Sequence, residues 1–278
     1  FQNKKLIAVC GLLPNNFWDK KLNLDMTLSL WINKKKNIIS GIEPLKFIIN
    51  KIKPNILFTI GLNHNTSAKV YKLFGKIDHL KHYYIFNPYI KSKISKNLKN
   101  KKINYKNLKK ISLSVSRDLK SIPSYSYYPK KSLKFFNEKY LKSPYYRYFL
   151  LNIKFENKII IFFVYRENYI KKFNQKILRI VDFYGNFSRN INISNVITDY
   201  LKKNKYEYID FLLFGIPVKK IENFGFQIKK RNQIIPNLFE PFKKQNINLD
   251  IAIIKTQKNI KLVAVKGDSD QERPNITA

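Results

Sequence analysis

The sequence predicts an α/β fold built as two halves of similar construction, each with a mixed, mostly antiparallel sheet flanked by helices. Strand and helix patterns alternate along the 278 residues, and their order in the first half returns in the second. A lysine-rich stretch without acidic residues, 91–110, separates the halves. We predict an N-terminal domain at residues 1–90, a basic linker at 91–125 and a C-terminal domain at 126–278.

Apolar runs and turn residues define the elements of the first half. Pro14 and Pro54 each end a pattern, and Gly75 supplies a C-terminal stop for a helix. Strands are predicted at residues 4–13, 26–33, 56–61 and 79–86, and helices at 42–52 and 65–74. This half begins directly with strands, so we interpret it as a copy of the fold that is truncated at its start.

The second half repeats the alternation with more elements. Ser132 can cap a helix, and Glu156 with Asn157 forms the turn of a hairpin. Helices are predicted at residues 132–141, 193–203 and 217–224, and strands at 146–155, 158–167, 176–184, 206–214 and 249–255.

Composition limits the class of protein. Apolar residues make up 44% of the chain, too many for a disordered protein. The single cysteine, Cys10, excludes a disulfide framework and a cysteine-rich zinc site, and the three histidines do not suggest another metal site. The longest apolar runs have the length of strands, far below the ~20 residues that span a bilayer. We therefore expect a cytoplasmic protein without a metal.

The charge is strongly positive, with 54 Lys and Arg against 18 Asp and Glu and a formal net charge of +36. Such a surface attracts nucleic acids and other polyanions. However, the enriched residues Lys, Asn, Ile, Phe and Tyr all have codons rich in A and T, so coding bias also explains the lysines. No nucleic-acid-binding motif accompanies the charge, and a basic nucleic-acid-binding protein is therefore the last of three functional hypotheses.

The order of elements resembles two copies of the GCN5-related N-acetyltransferase fold. The segment NHNTSAKVYKLFG at residues 63–75 is similar to the helix that follows the fifth strand of that family. Ser67, Tyr71 and Gly75 fall in register with its small residue, tyrosine and glycine, whereas His64 stands where the family has an asparagine. The segment IENFGF in the second half resembles the end of the same helix.

This resemblance implies an acyltransferase that uses acetyl-CoA or another acyl-CoA as co-substrate. In the family, the fourth strand splays from the fifth, and backbone N–H groups of the next loop hold the pyrophosphate at a helix N-terminus. Residues 31–41 of the first copy keep the strand, a basic run and one glycine but lack the paired glycines. In the second copy, the resemblance implies cofactor contacts at Val181, Gly185, Asn186 and Arg189.

Two aspartates interrupt apolar strands of the second copy, where a carboxylate is costly without a partner. Asp182 lies on its fourth strand and Asp210 on its fifth, so both could serve at the reaction cleft, with Asp210 as the base or as a group that positions the acceptor. The alternative is structural pairing, of Asp182 with Arg179 or Lys176 and of Asp210 with a nearby lysine. Tyr146 could protonate the leaving thiolate.

Further candidates suit a polyhydroxylated acceptor. The tail GDSDQERPN concentrates acids, and we interpret it as a loop over the cleft in which Asp268, Asp270 and Arg273 bind sugar hydroxyls. Glu240 in PNLFEPF is a fourth candidate. A disordered terminus and a surface turn are the respective alternatives.

Several phrases, among them ILRIVDFYG, PNLFEPF and GDSDQERPN, resemble a group of bacterial acetyltransferase-like proteins found among genes for surface polysaccharide or sugar modification. That likeness implies N-acetylation of an amino sugar or nucleotide-sugar. The competing hypothesis is a binding or scaffold protein in which both copies have lost the cofactor, as the departures in both loops suggest.

Overall fold

A computed structural model describes residues 8–15, 25–33, 38–99, 110–187, 191–239, 242–257 and 259–269. It is a mixed α/β structure with mostly antiparallel sheets and few helices. The strands are β1 (Ala8–Pro14), β2 (Asp25–Asn33), β3 (Ile56–Ile60), β4 (Lys76–His79), β5 (Lys81–Phe86), β6 (Ile111–Ser116), β7 (Tyr148–Phe155), β8 (Lys158–Ile170), β9 (Gln175–Gly185), β10 (Tyr206–Phe214), β11 (Gln227–Ile228), β12 (Leu238–Phe239), β13 (Phe242–Lys243), β14 (Asp250–Thr256) and β15 (Ala264–Val265).

The helices are short, and two of them continue into a π-helical turn. They are α1 (Ile38–Phe47, continued by Ile48–Ile52), α2 (Ser67–Tyr71), α3 (Leu133–Phe136, continued by Asn137–Leu141), α4 (Ser194–Lys203) and α5 (Val218–Asn223), with single 3₁₀ turns at Lys171–Phe173 and Lys266–Asp268. Within the described ranges, no helix is long and apolar enough to cross a membrane.

Two larger sheets carry the architecture. The first has the strand order β1-β2-β3-β14-β4, and the second has the order β11-β5-β10-β9-β8-β7-β6. Among the strands that the structure describes, the parallel neighbours are β2 with β3 and β9 with β10, and the other neighbouring strands pair antiparallel. Each sheet therefore has one central parallel pair.

The two sheets exchange strands. Strand β5, from the first half of the sequence, pairs antiparallel with β10 in the second sheet. Strand β14, from the second half, lies between β3 and β4 in the first sheet. The predicted domain limits at residues 90 and 126 stay a prediction, but neither sheet consists only of residues on one side of them.

The stretch assigned to a basic linker contains ordered elements. Strand β6 pairs with β7 and forms the edge of the second sheet. Before it, the buried Glu207 carboxylate accepts hydrogen bonds from the backbone N–H groups of Lys93, Ile94 and Ser95 at 2.7–2.9 Å. The lysine side chains at 91–99 are exposed while Ile94 is fully buried. Because lysines dominate residues 91–110, the sequence pattern predicted an exposed linker here and not an anchored segment.

Helices lie on both faces of the second sheet. Helix α4 buries Ile197 and Leu201, four residues apart on one side, against the core of this sheet. Helix α5 adds Ile221 to the same core. Helix α3 lies on the opposite face, where Phe136 contacts Phe162 and Tyr184. That opposite face carries the buried charges described next.

Candidate functional site

The central parallel pair of the second sheet separates toward its carboxyl end. Strands β9 and β10 are paired up to Ile180 and Phe211, after which β15 takes the position beside β10, pairing Val265 with Leu213. Gly267 follows and lies so close to β9 that a Cβ atom on it would be 2.6 Å from the carbonyl oxygen of Val181. The gap between these strands is therefore filled by the chain's own residues 264–268, here called the plug.

A buried charge cluster fixes the plug. The Lys131 Nζ lies 2.7 Å from Asp182 Oδ1 and 2.6 Å from Asp268 Oδ1, and the Tyr140 hydroxyl donates to Asp182 Oδ2 at 2.8 Å. Lys131, Asp182 and Asp268 expose no more than 2% of their side chains. Burial and the Asp268 carboxylate raise the pKa of Asp182, against the lowering effect of Lys131. A basic partner for Asp182 was predicted from the sequence, but Lys131 was not a candidate because it lies 51 residues away.

Asp210 lies in a second buried cluster on the same face. Its carboxylate accepts from Arg179 Nε at 3.1 Å and Nη2 at 2.5 Å, and it contacts His82 Nε2 at 2.8 Å. Arg179 also donates to the backbone and side-chain oxygens of Asn237. Although burial raises the pKa of Asp210, the attraction of Arg179 and His82 outweighs it and lowers that pKa to about 2. Asp210 is thus held ionised by protein groups.

His82 makes this cluster a candidate for proton transfer. The contact with Asp210 uses Nε2, which fixes that nitrogen as the donor of a neutral ring and leaves Nδ1 as the basic atom. His82 lines a cavity of about 120 Å³ together with Lys81, Lys229 and Asn248. Burial lowers the pKa of His82, against the raising effect of Asp210. An ionisable residue within a buried strand needs a partner, and this rule points to His82 of β5 as well as to Asp182 and Asp210. His82 was nevertheless not among the residues predicted from the sequence.

This histidine makes stability depend on pH. Because the pKa of His82 is lowered in the folded chain, the unfolded state binds more protons below about pH 6.5, the ordinary value. The free energy of unfolding should therefore fall as pH is lowered from 7 to 5, and His82→Gln should flatten that dependence. Urea titrations of both proteins at several pH values measure it. The exposed His79→Gln variant is the control, and an equal pH slope in all three proteins would contradict the assignment.

The other predicted site residues have different surroundings. The Asn186 side chain binds Ser124 and Ser126, and Gly185 adopts a φ of +128° at the end of β9. The Tyr146 ring packs under the Arg166 guanidinium, with 4.1 Å from Cζ to the ring centroid. Arg189, Glu240, Asp270 and Arg273 lie outside the described residues. The roles assigned to all these residues stay predictions.

The parallel pair of the first sheet also separates. Strands β2 and β3 pair only from Asp25 with Ile56 to Thr27 with Phe58, and β2 then continues for six residues. Among the described residues, no other strand pairs with β3 on this side. Thr59 follows the last paired residue, and Tyr71 of α2 packs in one apolar cluster with Leu57 of β3 and Leu28 of β2. The end of this parallel pairing and a buried tyrosine therefore lie in one apolar cluster.

Tyr71 has an electrostatic environment that keeps its proton. The ring is 4% exposed, and burial together with the nearby Cys10 raises the pKa of its hydroxyl. Burial also raises the pKa of the Cys10 thiol to about 11, so this thiol is protonated at neutral pH and is a poor nucleophile. A protonated tyrosine can donate a proton and cannot accept one readily.

A larger cavity, of about 410 Å³, opens on the second sheet near the start of β7 and the end of β8. It is lined mainly by aromatic and charged side chains: Val115, Tyr146, Arg147, Phe149, Tyr165, Arg166, Glu167, Tyr200 and Tyr206. The sequence predicted no cavity here, although one of its lining residues, Tyr146, was named as a candidate proton donor. Within the described ranges, no group of three or more His, Cys, Asp or Glu residues could hold a metal ion.

Comparisons with known proteins find a likeness to solved structures alone. No protein-family model and no curated protein matches the chain. One similar solved structure is that of a GCN5-related N-acetyltransferase from Anabaena variabilis, with a TM-score of 0.45 and 9% sequence identity. The match covers 83% of this chain and 55% of the other, so this chain spans little more than half the length of that protein.

Proposed function

We propose that the chain is an acyl-CoA-dependent acyltransferase that N-acylates an amino sugar or nucleotide-sugar, with acyl-CoA bound along the first sheet. The observation that carries this proposal is the separation of β2 from β3 beyond Thr27 and Phe58. A divergent central parallel pair is where the acyltransferases that this sequence resembles take the pantetheine arm of coenzyme A. The buried Tyr71 packs against this strand pair, in one apolar cluster with Met26, Leu28 and Leu57.

The equivalent gap in the second sheet fits coenzyme A poorly. Residues 264–268 pair with β10 and approach β9 there, and Gly267 has no room even for a Cβ atom. The plug is fixed by buried ion pairs to Lys131. These contacts favour the first half for acyl-CoA, whereas the sequence favoured the second.

Acyl transfer to an amine requires three events. The amine nitrogen attacks the thioester carbonyl carbon, the new C–N bond replaces the C–S bond, and the proton lost by the amine is balanced by one gained at the thiolate. Acyl-CoA supplies the activated thioester. Tyr71 would donate its proton to the departing sulfur, since burial keeps its hydroxyl protonated before the reaction, and would regain the proton that the attacking amine nitrogen releases.

Tyr71→Phe tests this role directly. The variant loses the proton donor, so we expect turnover to fall roughly 10²-fold while acetyl-CoA affinity changes little. The free energy of unfolding should fall by about 1 kcal/mol. Calorimetric titration with acetyl-CoA and a thiol-release assay with amino sugars measure the two effects.

Tyr145→Phe is the matched control, since Tyr145 is 65% exposed, and it should behave as the unaltered chain. Unchanged turnover in the Tyr71 variant would remove that residue from the mechanism. If acetyl-CoA does not bind the unaltered chain at millimolar concentration, the acyltransferase proposal is wrong.

A second candidate function is supported by the plug. A gap filled by the chain's own residues is what a non-catalytic binding or scaffold protein of this construction would show. The same titration separates the candidates, because a scaffold that has lost the cofactor gives no heat with acetyl-CoA and releases no thiol.

A further inference from the structure

The 410 Å³ cavity on the second sheet has the size of a small-molecule site. It lies at the start of β10, near Tyr206, whereas β9 and β10 separate beyond Phe211, at the opposite end of the strand. It is therefore distinct from the plug and from the first-sheet gap. No step of the proposed acyl transfer uses it.

Two arginines line this cavity. Arg147 is exposed and its Cζ lies 5.2 Å from the ring centroid of Phe149, while Arg166, 8% exposed, lies over Tyr146. Arg117 approaches Phe149 as well, at 5.9 Å. The chain has seven arginines in all and otherwise uses lysine; two of the seven line this cavity, and the third named here, Arg117, lies nearby and donates to the Leu141 carbonyl oxygen. A guanidinium presents paired donors that match the oxygens of a phosphate.

The remaining charges favour an anion. Glu167 is the acidic residue of the lining, and its carboxylate accepts from the Tyr206 hydroxyl at 2.5 Å and lies 3.4 Å from Lys176 Nζ. Within the described part of the chain, no carboxylate pairs with Arg147. Positive charge at the lining is therefore incompletely neutralised.

The rings supply a flat, partly apolar wall. Phe149 and Tyr165 are stacked with centroids 5.7 Å apart, and the hydroxyl groups of Tyr165 and Tyr200 are hydrogen-bonded at 3.0 Å. Because these contacts fix the rings before any ligand arrives, a planar base or a sugar face can pack on them at little entropic cost.

We propose that this cavity binds a nucleoside diphosphate, either free or as the head of a nucleotide-sugar. The phosphates bind Arg147 within the positive field of Arg166, and the base or ribose packs on the ring of Phe149 and its neighbours. This assignment does not rest on the acyltransferase proposal, because the residues that define it lie apart from the first-sheet gap.

Calorimetric titration of the whole chain with UDP and with ADP at about 0.15 M salt tests the site. At least one should bind, and uridine, adenosine and inorganic pyrophosphate should bind at least tenfold more weakly, because each offers only the ring or only the charge. Arg147→Gln should weaken the nucleotide roughly tenfold. Acetyl-CoA binding should be unchanged in this variant, which separates the outcome from that of the proposed function.

Arg231→Gln is the matched control, since Arg231 is exposed and outside the cavity and the variant loses the same charge. Equal weakening by both variants would show nonspecific attraction to a basic surface and would overturn the proposal. So would equal affinity for pyrophosphate and nucleotide, or the absence of binding by both nucleotides at millimolar concentration. A single-stranded oligonucleotide that binds more tightly than UDP and loses affinity equally in the two variants would indicate nucleic-acid binding instead.

Discussion

Replacing Lys131 by methionine is expected to lower the free energy of unfolding by roughly 3–5 kcal/mol, the cost of breaking a buried ion pair from one side. The variant leaves the carboxylates of Asp182 and Asp268 buried without their shared ammonium group. A loss of this size is a large fraction of the stability of an ordinary protein. Urea-induced unfolding followed by circular dichroism measures it.

Two further variants identify the cause. Lys120→Met removes a lysine that is 88% exposed, and it should change stability by no more than about 0.5 kcal/mol. Combining Lys131→Met with Asp182→Asn and Asp268→Asn removes the uncompensated charges and should recover more than half of the loss. A triple variant as unstable as the single one would show that packing of the lysine stem, and not charge, dominates.

Asp210→Asn is expected to destabilise the chain by roughly 3 kcal/mol, since it removes the charge that compensates Arg179 in a fully buried site. The amide also presents donors where Arg179 and His82 need an acceptor. Thermal and urea unfolding measure the loss. The exposed Asp199→Asn, on α4, is the matched control and should be nearly neutral.

This variant also tests the role that the sequence suggested for Asp210. A catalytic base at this position would give a folded variant of ordinary stability whose turnover is at least tenfold lower. A destabilised variant whose folded fraction keeps its turnover would show that Asp210 is structural. His82, held through Nε2 by Asp210, is then the group of this cluster that retains a basic nitrogen.

Much of the architecture could be predicted from local patterns. The strands around Ile56, Ile180 and Tyr208 lie where the apolar runs predict them, since a buried strand needs little more than such a run and its turn residues. Strand β6 was not predicted although ISLSVS alternates strictly between apolar residues and serine, because the lysines before it suggested a linker. The order of strands in the sheets is a long-range property, and no local pattern reports that β14 pairs with β3.

In the candidate sites, too, local features could be predicted from the sequence, whereas pairings between distant residues could not. A buried carboxylate is costly without a partner, and both Asp182 and Asp210 have partners in the structure. The sequence suggested Arg179 as a partner of Asp182, whereas Arg179 pairs with Asp210. Lys131 and His82 could not be paired with them, because both are distant in the sequence. The aromatic cavity combines β7, β8, α4 and β10, and in a chain with 18 tyrosines no single tyrosine stands out.

The exchange of strands between the sheets governs when the chain can finish folding. On the ribosome, β3 and β4 are synthesised early, but the strand that belongs between them, β14, follows some two hundred residues later, as the pairing of Ile60 with Ile251 shows. Until then β3 has an open edge that another nascent chain could pair with. The first sheet can therefore be completed only after β14 has been synthesised, long after its other four strands.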